Sequence, residues 1–312
     1  MSLATSSRIG ALALAATVLF AACGGSNAST APSAAPSTAP STEASVAPST
    51  APASAGAVTC VAGSITAAGS TALQPLVDAA AKQYVAACSG STVSVQGGGS
   101  GTGLTQVAGG TVQIGNSDVT ADSKLQPADA ATLVDHVVAR QGWVMVVSPD
   151  VTGVTSLTTQ QATDIWTGKT TNWKDVGGPD MPIVLVLRPA SSGTRSVFKK
   201  IVLSGANEAA GQALTEDSNG AVTTAVGQTS GSTSVIGFAY YKANQGKVVA
   251  LGLDGVTASV DNMLNNTYKL QAFGHMYTKG PADGLVKAFL DYMMSDTIQH
   301  TLIPSLFYAP AQ

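Results

Sequence analysis

Charge is scarce in this chain. Of 312 residues, 11% are charged, with 15 Lys and Arg against 18 Asp and Glu and a formal net charge of −3. A nucleic-acid binder needs a clustered basic face, so that class is excluded. Histidine is scarcer still. His136, His275 and His300 are the three present, and none stands at a triad-like or metal-ligand spacing. Cysteine is limited to Cys23, Cys60 and Cys88, again without metal-ligand spacing. Long apolar runs are absent: residues 9–22 form a short one, too short to span a bilayer as a mature helix.

Nucleophile and nucleotide motifs are missing as well. Gly98-Gly99-Ser100-Gly101-Thr102 lacks the last glycine of G-x-S-x-G. Residues 110–117 approach a P-loop, but Asn116 stands where the lysine belongs, and the glycine run fails G-x-G-x-x-G. The chain therefore reads as a binding protein rather than an enzyme, with no cofactor and no metal.

The N-terminal region has its own composition. Arg8, the apolar run and small residues before Cys23 have the layout of a secretory signal over 1–22. Leu19-Phe20-Ala21-Ala22-Cys23-Gly24-Gly25 resembles a bacterial lipobox, in which Cys23 becomes the lipidated N-terminus; Phe20 departs from the usual aliphatic there. A plain secreted protein with an incidental cysteine is the alternative. Residues 26–57 are almost entirely Ser, Ala, Thr and Pro. Such a segment cannot bury a core and reads as a disordered tether. With Cys23 it forms a 23–57 link from membrane to domain, able to reach ~3 Å per residue, on the order of 100 Å.

From Val58 the pattern alternates between strand and helix signals. Expected strands cover 64–67, 92–96, 112–115, 134–139, 142–148, 183–187, 235–239 and 247–251, and 268–277 is extended. Expected helices follow the turns at 69–71, 99–101 and 192–194 and also cover 158–167, 221–228 and 282–301. This is an α/β pattern, with parallel strands and helices on their faces. Cys60 precedes the first strand and Cys88 ends the first helix. An even pair in an oxidising compartment argues for a disulfide, with two buried thiols as the alternative.

Three strand-to-helix turns share a composition: Gly69-Ser70-Thr71, Gly99-Ser100-Gly101 and Ser192-Gly193-Thr194. Each opens a helix, whose first N–H groups lack internal partners and carry the positive end of the dipole. In an open α/β sheet such turns lie at the carboxyl ends of the strands, where ligands bind. Arg188 adds a cationic fork, and Asp118 ends a strand on the same edge. Together they make a site for a tetrahedral oxyanion; three unrelated helix caps are the alternative.

These pieces resemble the phosphate-binding proteins of bacterial ABC transporters, within the type II periplasmic-binding-protein fold. The matching motifs are Ala68-Gly69-Ser70-Thr71, Gln96 to Gly101, Ile114-Gly115-Asn116-Ser117-Asp118, Trp166 to Trp173, Arg188 to Thr194, Val235 to Ala239 and Tyr277-Thr278-Lys279-Gly280. The resemblance runs in order from about residue 64 to the C-terminus. It implies two lobes, each a mainly parallel sheet flanked by helices, with the ligand cleft between them: 58–149 and 266–312 in the first, 150–265 in the second. It implies phosphate contacts at Thr71 and the Ala72 N–H, with Ser70 as a substitute donor, and at Ser100, Asp118, Arg188, Ser192, Gly193 and Thr194. It also implies a monomer, an ABC permease as partner, and a lipid anchor to the outer face of the membrane. Phe273, Gly274 and His275 differ from the family's usual Arg-Pro pattern, and no contact is assigned there.

Asp118 beside an anion favours a ligand that still carries a proton. Phosphate does so near neutral pH and can donate to the carboxylate, whereas sulfate would meet it with bare oxygens. Sulfate, molybdate and tungstate remain the alternative ligands, and a sensing or adhesive lipoprotein the alternative role.

Overall fold

The computed structural model describes residues 58–209 and 214–311. The expected signal segment 1–22, Cys23 and the tether 23–57 lie outside the described residues.

The chain begins with β1 (Gly63–Gly69), α1 (Gln74–Ala87), β2 (Ser91–Gly98), α2 (Ser100–Ala108) and β3 (Ile114–Ser117). After the short α3 (Pro127–Ala130) comes the long β4 (Leu133–Val147). There follow β5 (Ser156–Leu157), α4 (Thr159–Trp166), β6 (Val184–Leu187), α5 (Gly193–Ile201), β7 (Leu214–Thr215) and α6 (Asn219–Gln228). Next come β8 (Ser232–Gly237), α7 (Phe238–Ala243), β9 (Val249–Leu253), α8 (Val260–Leu264) and β10 (Gln271–Lys279). The chain closes with α9 (Gly284–Met293) and α10 (Ile303–Ser305).

The strands run in the order β2-β1-β3-β10-β4-β8-β6-β7, with β9 pairing β4 and β5. The outer pairs β1–β2, β1–β3, β6–β7 and β6–β8 are parallel. The central pairs that involve β4 and β10 are antiparallel. Parallel outer strands joined by helices carry all three candidate turns to the same edge.

The core divides along β4. Val138 and Ala139 pack with α1 and α9, whereas Trp143, Val144, Met145, Val146 and Val147 pack with α4, α5 and α6. Helix α1 buries Leu76, Val77, Ala80, Ala81 and Tyr84, the stripe its spacing dictates, with Pro75 in the first turn. Helix α4 starts on a capping box between Thr158 and Gln161. Helix α2 approaches the sheet very closely. A Cβ on Gly103 would lie 2.4 Å from the Ala68 carbonyl oxygen and 2.7 Å from the Gly69 Cα, so only glycine fits. Cys60 and Cys88 form a disulfide with Cα atoms 5.2 Å apart, closing a loop with a sequence separation of 28.

Three expectations differ from the structure. The strands expected at 134–139 and 142–148 are one strand, β4. Arg140-Gln141, the expected break, stays in the ladder opposite Phe273 and Ala272, and Gly142 continues it opposite Gln271. The strand expected to reach Ala239 stops at Gly237, which is the N-cap of α7. The helix expected over 282–301 ends at Met293 and resumes as a wide π turn at Ile298–Leu302. The Gln299 amide donates to the Met293 carbonyl at 2.8 Å and to the Val138 carbonyl at 3.0 Å. A side chain thus satisfies the freed helix end, while the apolar stripe continues across the break.

Candidate functional site

Asp118 follows β3 directly and is 2% exposed. Its carboxylate is ringed by donors from distant parts of the chain. Ser70 Oγ donates to Asp118 Oδ1. The Gln141 side-chain amide donates to the same oxygen at 3.0 Å. Thr194 Oγ1 donates to Asp118 Oδ2 at 3.3 Å and itself accepts from the Trp143 indole N–H at 3.0 Å. The Asp118 N–H donates to Ser100 Oγ at 2.9 Å. Burial pushes the Asp118 carboxyl above the usual carboxylate range; the bonds from Ser70 and Gln141, the Arg188 charge and the Thr194 bond oppose that shift.

All three candidate turns meet here. Ser70 Oγ accepts from the N–H groups of Ala72 and Leu73 at 3.1 and 3.0 Å. The Ala72 N–H is therefore engaged by Ser70 rather than free. Thr71 takes two bonds from Asn219: the side-chain amide donates to its carbonyl at 2.8 Å and the backbone N–H to its Oγ1 at 3.4 Å. Ser192 caps α5, its Oγ accepting from the Arg195 N–H at 3.2 Å. Gly193 abuts the opposite turn: a Cβ there would lie 2.1 Å from Ser100 Oγ and 2.7 Å from Asp118 Cβ. No side chain larger than hydrogen can stand between these turns.

Arg188 sits just beyond β6 and is 4% exposed. Its Nη2 donates to the Asp217 carbonyl at 2.9 Å and its Nη1 to Asn219 Oδ1 at 3.4 Å. Its Nε is buried with no partner among the described residues. Burial lowers the pKa of the guanidinium, and the charges of Asp118 and Asp217 oppose this. Arg188 forms no ion pair among the described residues, so a direct bond to Asp118 is not what holds it.

Chemically, this is a buried carboxylate and a buried guanidinium with an orphan donor, framed by hydroxyls and two helix N-termini. It offers a cationic donor, several hydroxyls and one strong acceptor.

The sequence model of the PBP superfamily domain matches residues 50–297. The chain belongs to the PBP superfamily. Within it, the phosphate-binding protein PstS of Bacillus subtilis (strain 168) is 46% identical over 248 residues, covering 80% of this chain and 81% of that protein. A crystal structure of a phosphate ABC transporter substrate-binding protein with bound phosphate from Clostridium perfringens is 28% identical. It superposes with a TM-score of 0.73, covering 80% of this chain and 100% of that one. An ABC-type phosphate transport receptor from Vibrio cholerae is 29% identical with a TM-score of 0.62, covering 78% of this chain and 99% of that one. The family and the two-lobed type II fold are thereby shown.

Within this PBP fold, four residues of the site were not singled out from sequence. Gln141 lies within the expected break of β4, next to Arg140, and Trp143 stands just after it in the apolar run that follows. Asn219 opens α6 behind the Ser218 cap and reads as ordinary helix-start chemistry. Tyr308, near the C-terminus, donates to the Ala72 carbonyl at 2.5 Å. Spacing alone carried no signal for them, because each reaches the site across more than one element.

Proposed function

We propose that this protein captures inorganic phosphate outside the cytoplasmic membrane and delivers it to an ABC permease. The names of its relatives and the donor-rich site support the reading. One observation carries it: a buried carboxylate, Asp118, stands in the middle of an otherwise anion-attracting site. A protonated anion resolves the conflict. One proton shared between phosphate and Asp118 makes an O–H···O bond, while Arg188 and the turns of α2 and α5 hold the remaining oxygens. Each charge-assisted bond contributes ~1.5–3 kcal/mol. Sulfate brings no proton at neutral pH and leaves Asp118 unmatched, a mismatch that can reject a ligand by ~10⁴-fold. The alternative oxyanions are disfavoured for the same reason. The role is binding and release, without catalysis or cofactor.

In this proposal 58–149 and 266–312 form the first lobe and 150–265 the second, so the chain passes between lobes just after β4 and just before β10. The core contacts change sides a few residues inside these points, between Ala139 and Trp143 and between Leu270 and Met276. The Arg140 and Ala309 backbones pair at 2.8 and 2.9 Å beside the first of these changes. The lobes would open and close about these strands around one phosphate, in a monomer.

Calorimetric titration with phosphate and sulfate tests the assignment. The parent should bind phosphate and ignore sulfate, and Asp118→Asn should bind sulfate measurably better. A variant that rejects sulfate as the parent does would remove Asp118 from the selectivity argument. Anchoring is proposed at Cys23: labelled palmitate should be incorporated by the parent and not by Cys23→Ala, and equal labelling of both would refute the lipid site. Among the described residues no helix is long and apolar enough to cross a membrane.

A further inference from the structure

The loop before α5 turns three successive carbonyl groups toward the opposite turn. Lys124 Nζ donates to the Ala190 carbonyl at 2.6 Å and to the Ser192 carbonyl at 3.3 Å. Between them, the Gly101 N–H at the start of α2 donates to the Ser191 carbonyl at 2.8 Å. Lys124 ends the 3-10 turn Ala121–Ser123, six residues after Asp118, and is half-buried. Its nearest competing cation, Arg195, is already engaged by Glu208 at 2.6 to 3.1 Å. The ammonium is therefore the one donor to the Ala190 carbonyl among the described residues, and it shares the Ser192 carbonyl with the Ser196 N–H at 3.3 Å and the Ser196 hydroxyl at 3.2 Å.

Peptide planarity gives this contact a consequence. In a trans peptide the carbonyl of one residue and the N–H of the next point in opposite directions, and no cis bond occurs among the described residues. Holding the Ala190 and Ser192 carbonyls therefore directs the N–H groups of Ser191 and Gly193 away from the ammonium. The Gly193 N–H belongs to the first turn of α5, where no intrahelical acceptor exists. The same contacts draw the negative ends of these peptides away from an incoming anion.

We propose that Lys124 is a positioning residue for the bound anion. It clasps the 190–192 carbonyls across the cleft, aims the loop's N–H groups inward, and sets how long the closed form lasts. The inference rests on the phosphate-binding reading and deepens it, since Lys124 itself need not touch the ligand. A clasp made only on closure acts on dissociation, whereas a charge that merely attracts phosphate acts on association and fades with salt.

Stopped-flow tryptophan fluorescence of the whole protein separates the two, with Trp143 bonded to Thr194 as an internal reporter. Lys124→Met should release phosphate about tenfold faster, a change of about 1.4 kcal/mol, with association altered by less than about threefold at 0.15 M salt, where surface steering is screened. Lys124→Arg, which keeps charge and donors, should recover most of the slow release. Unchanged release in Lys124→Met overturns the proposal. So does a loss confined to association that vanishes at high salt. If the parent binds no phosphate, the functional reading fails by itself. Small-angle scattering of the ligand-free proteins then decides the clasp: a larger radius of gyration in Lys124→Met supports it, and superimposable curves refute it.

Discussion

Asp118 concentrates the conflict between function and stability in one side chain. It is buried, and burial raises its pKa above the ordinary 3.8. For a carboxyl whose folded pKa is raised, the folded state holds more protons than the unfolded one between the two values. That stability is fully present below the unfolded pKa and is lost as pH rises through the folded pKa. Asp118→Asn removes the titration. Ligand-free Asp118→Asn should therefore be more stable than the parent at pH 7, and its advantage should shrink toward pH 4, as measured by urea unfolding at both. An advantage that grows on acidification would contradict the assigned shift. Gly193 is the second residue that decides the site. An added Cβ would meet Ser100 Oγ and Asp118 Cβ at 2.1 and 2.7 Å, and such overpacking costs ~1–3 kcal/mol. Gly193→Ala should weaken phosphate binding about 10- to 100-fold while leaving the far-ultraviolet circular dichroism unchanged.

At the scale of elements, local chemistry and tertiary contacts divide the work. The N-caps of α4, α5 and α6 are Thr158, Ser192 and Ser218, each satisfying an N–H of its first turn. The starts of α4 and α5 were legible in the sequence because capping depends on residues three apart, whereas α6 begins at Asn219, two residues before the expected 221. Element ends were less legible. β4 runs through Gly142 because β10 supplies a ladder partner there, and α9 stops early because Gln299 satisfies its last carbonyl. The disulfide ties the segment before β1 to the end of α1. Closing a loop of 28 residues restricts the unfolded chain by about 3–4 kcal/mol in the chain-entropy account. A Cys60→Ser, Cys88→Ser double variant should lose about that much stability in guanidinium unfolding, with phosphate affinity little changed because the bridge lies away from Asp118.

At the scale of the molecule, the two cores share β4 and β10, and the site lies where elements from both meet. Its contacts are long-range. Ser70 and Thr194 converge on Asp118 from 48 and 76 residues away, and Gln141 from 23. Thr71 and Asn219 are separated by 148 positions, and Lys124 and Ala190 by 66. On the proposed closure, the loop donors align only when both sides are present, and the speed of phosphate release is expected to belong to the whole molecule rather than to either lobe.

The α/β class, the three hydroxyl-and-glycine turns, the cation and carboxylate that accompany them, and the candidate disulfide pair are legible in the chain alone. Each of these depends on residues close in the chain, or on composition, where periodicity and turn chemistry act directly. Tertiary structure decided which donors surround Asp118, that Ser70 engages the Ala72 N–H, that Arg188 leans on Asp217 and Asn219, and that Lys124 clasps the opposite loop. Those arrangements depend on strand order and on the single continuous β4. A polar side chain in a strand or a helix start looks the same in sequence whether it faces solvent or a buried carboxylate, and only the packing of distant elements distinguishes the two.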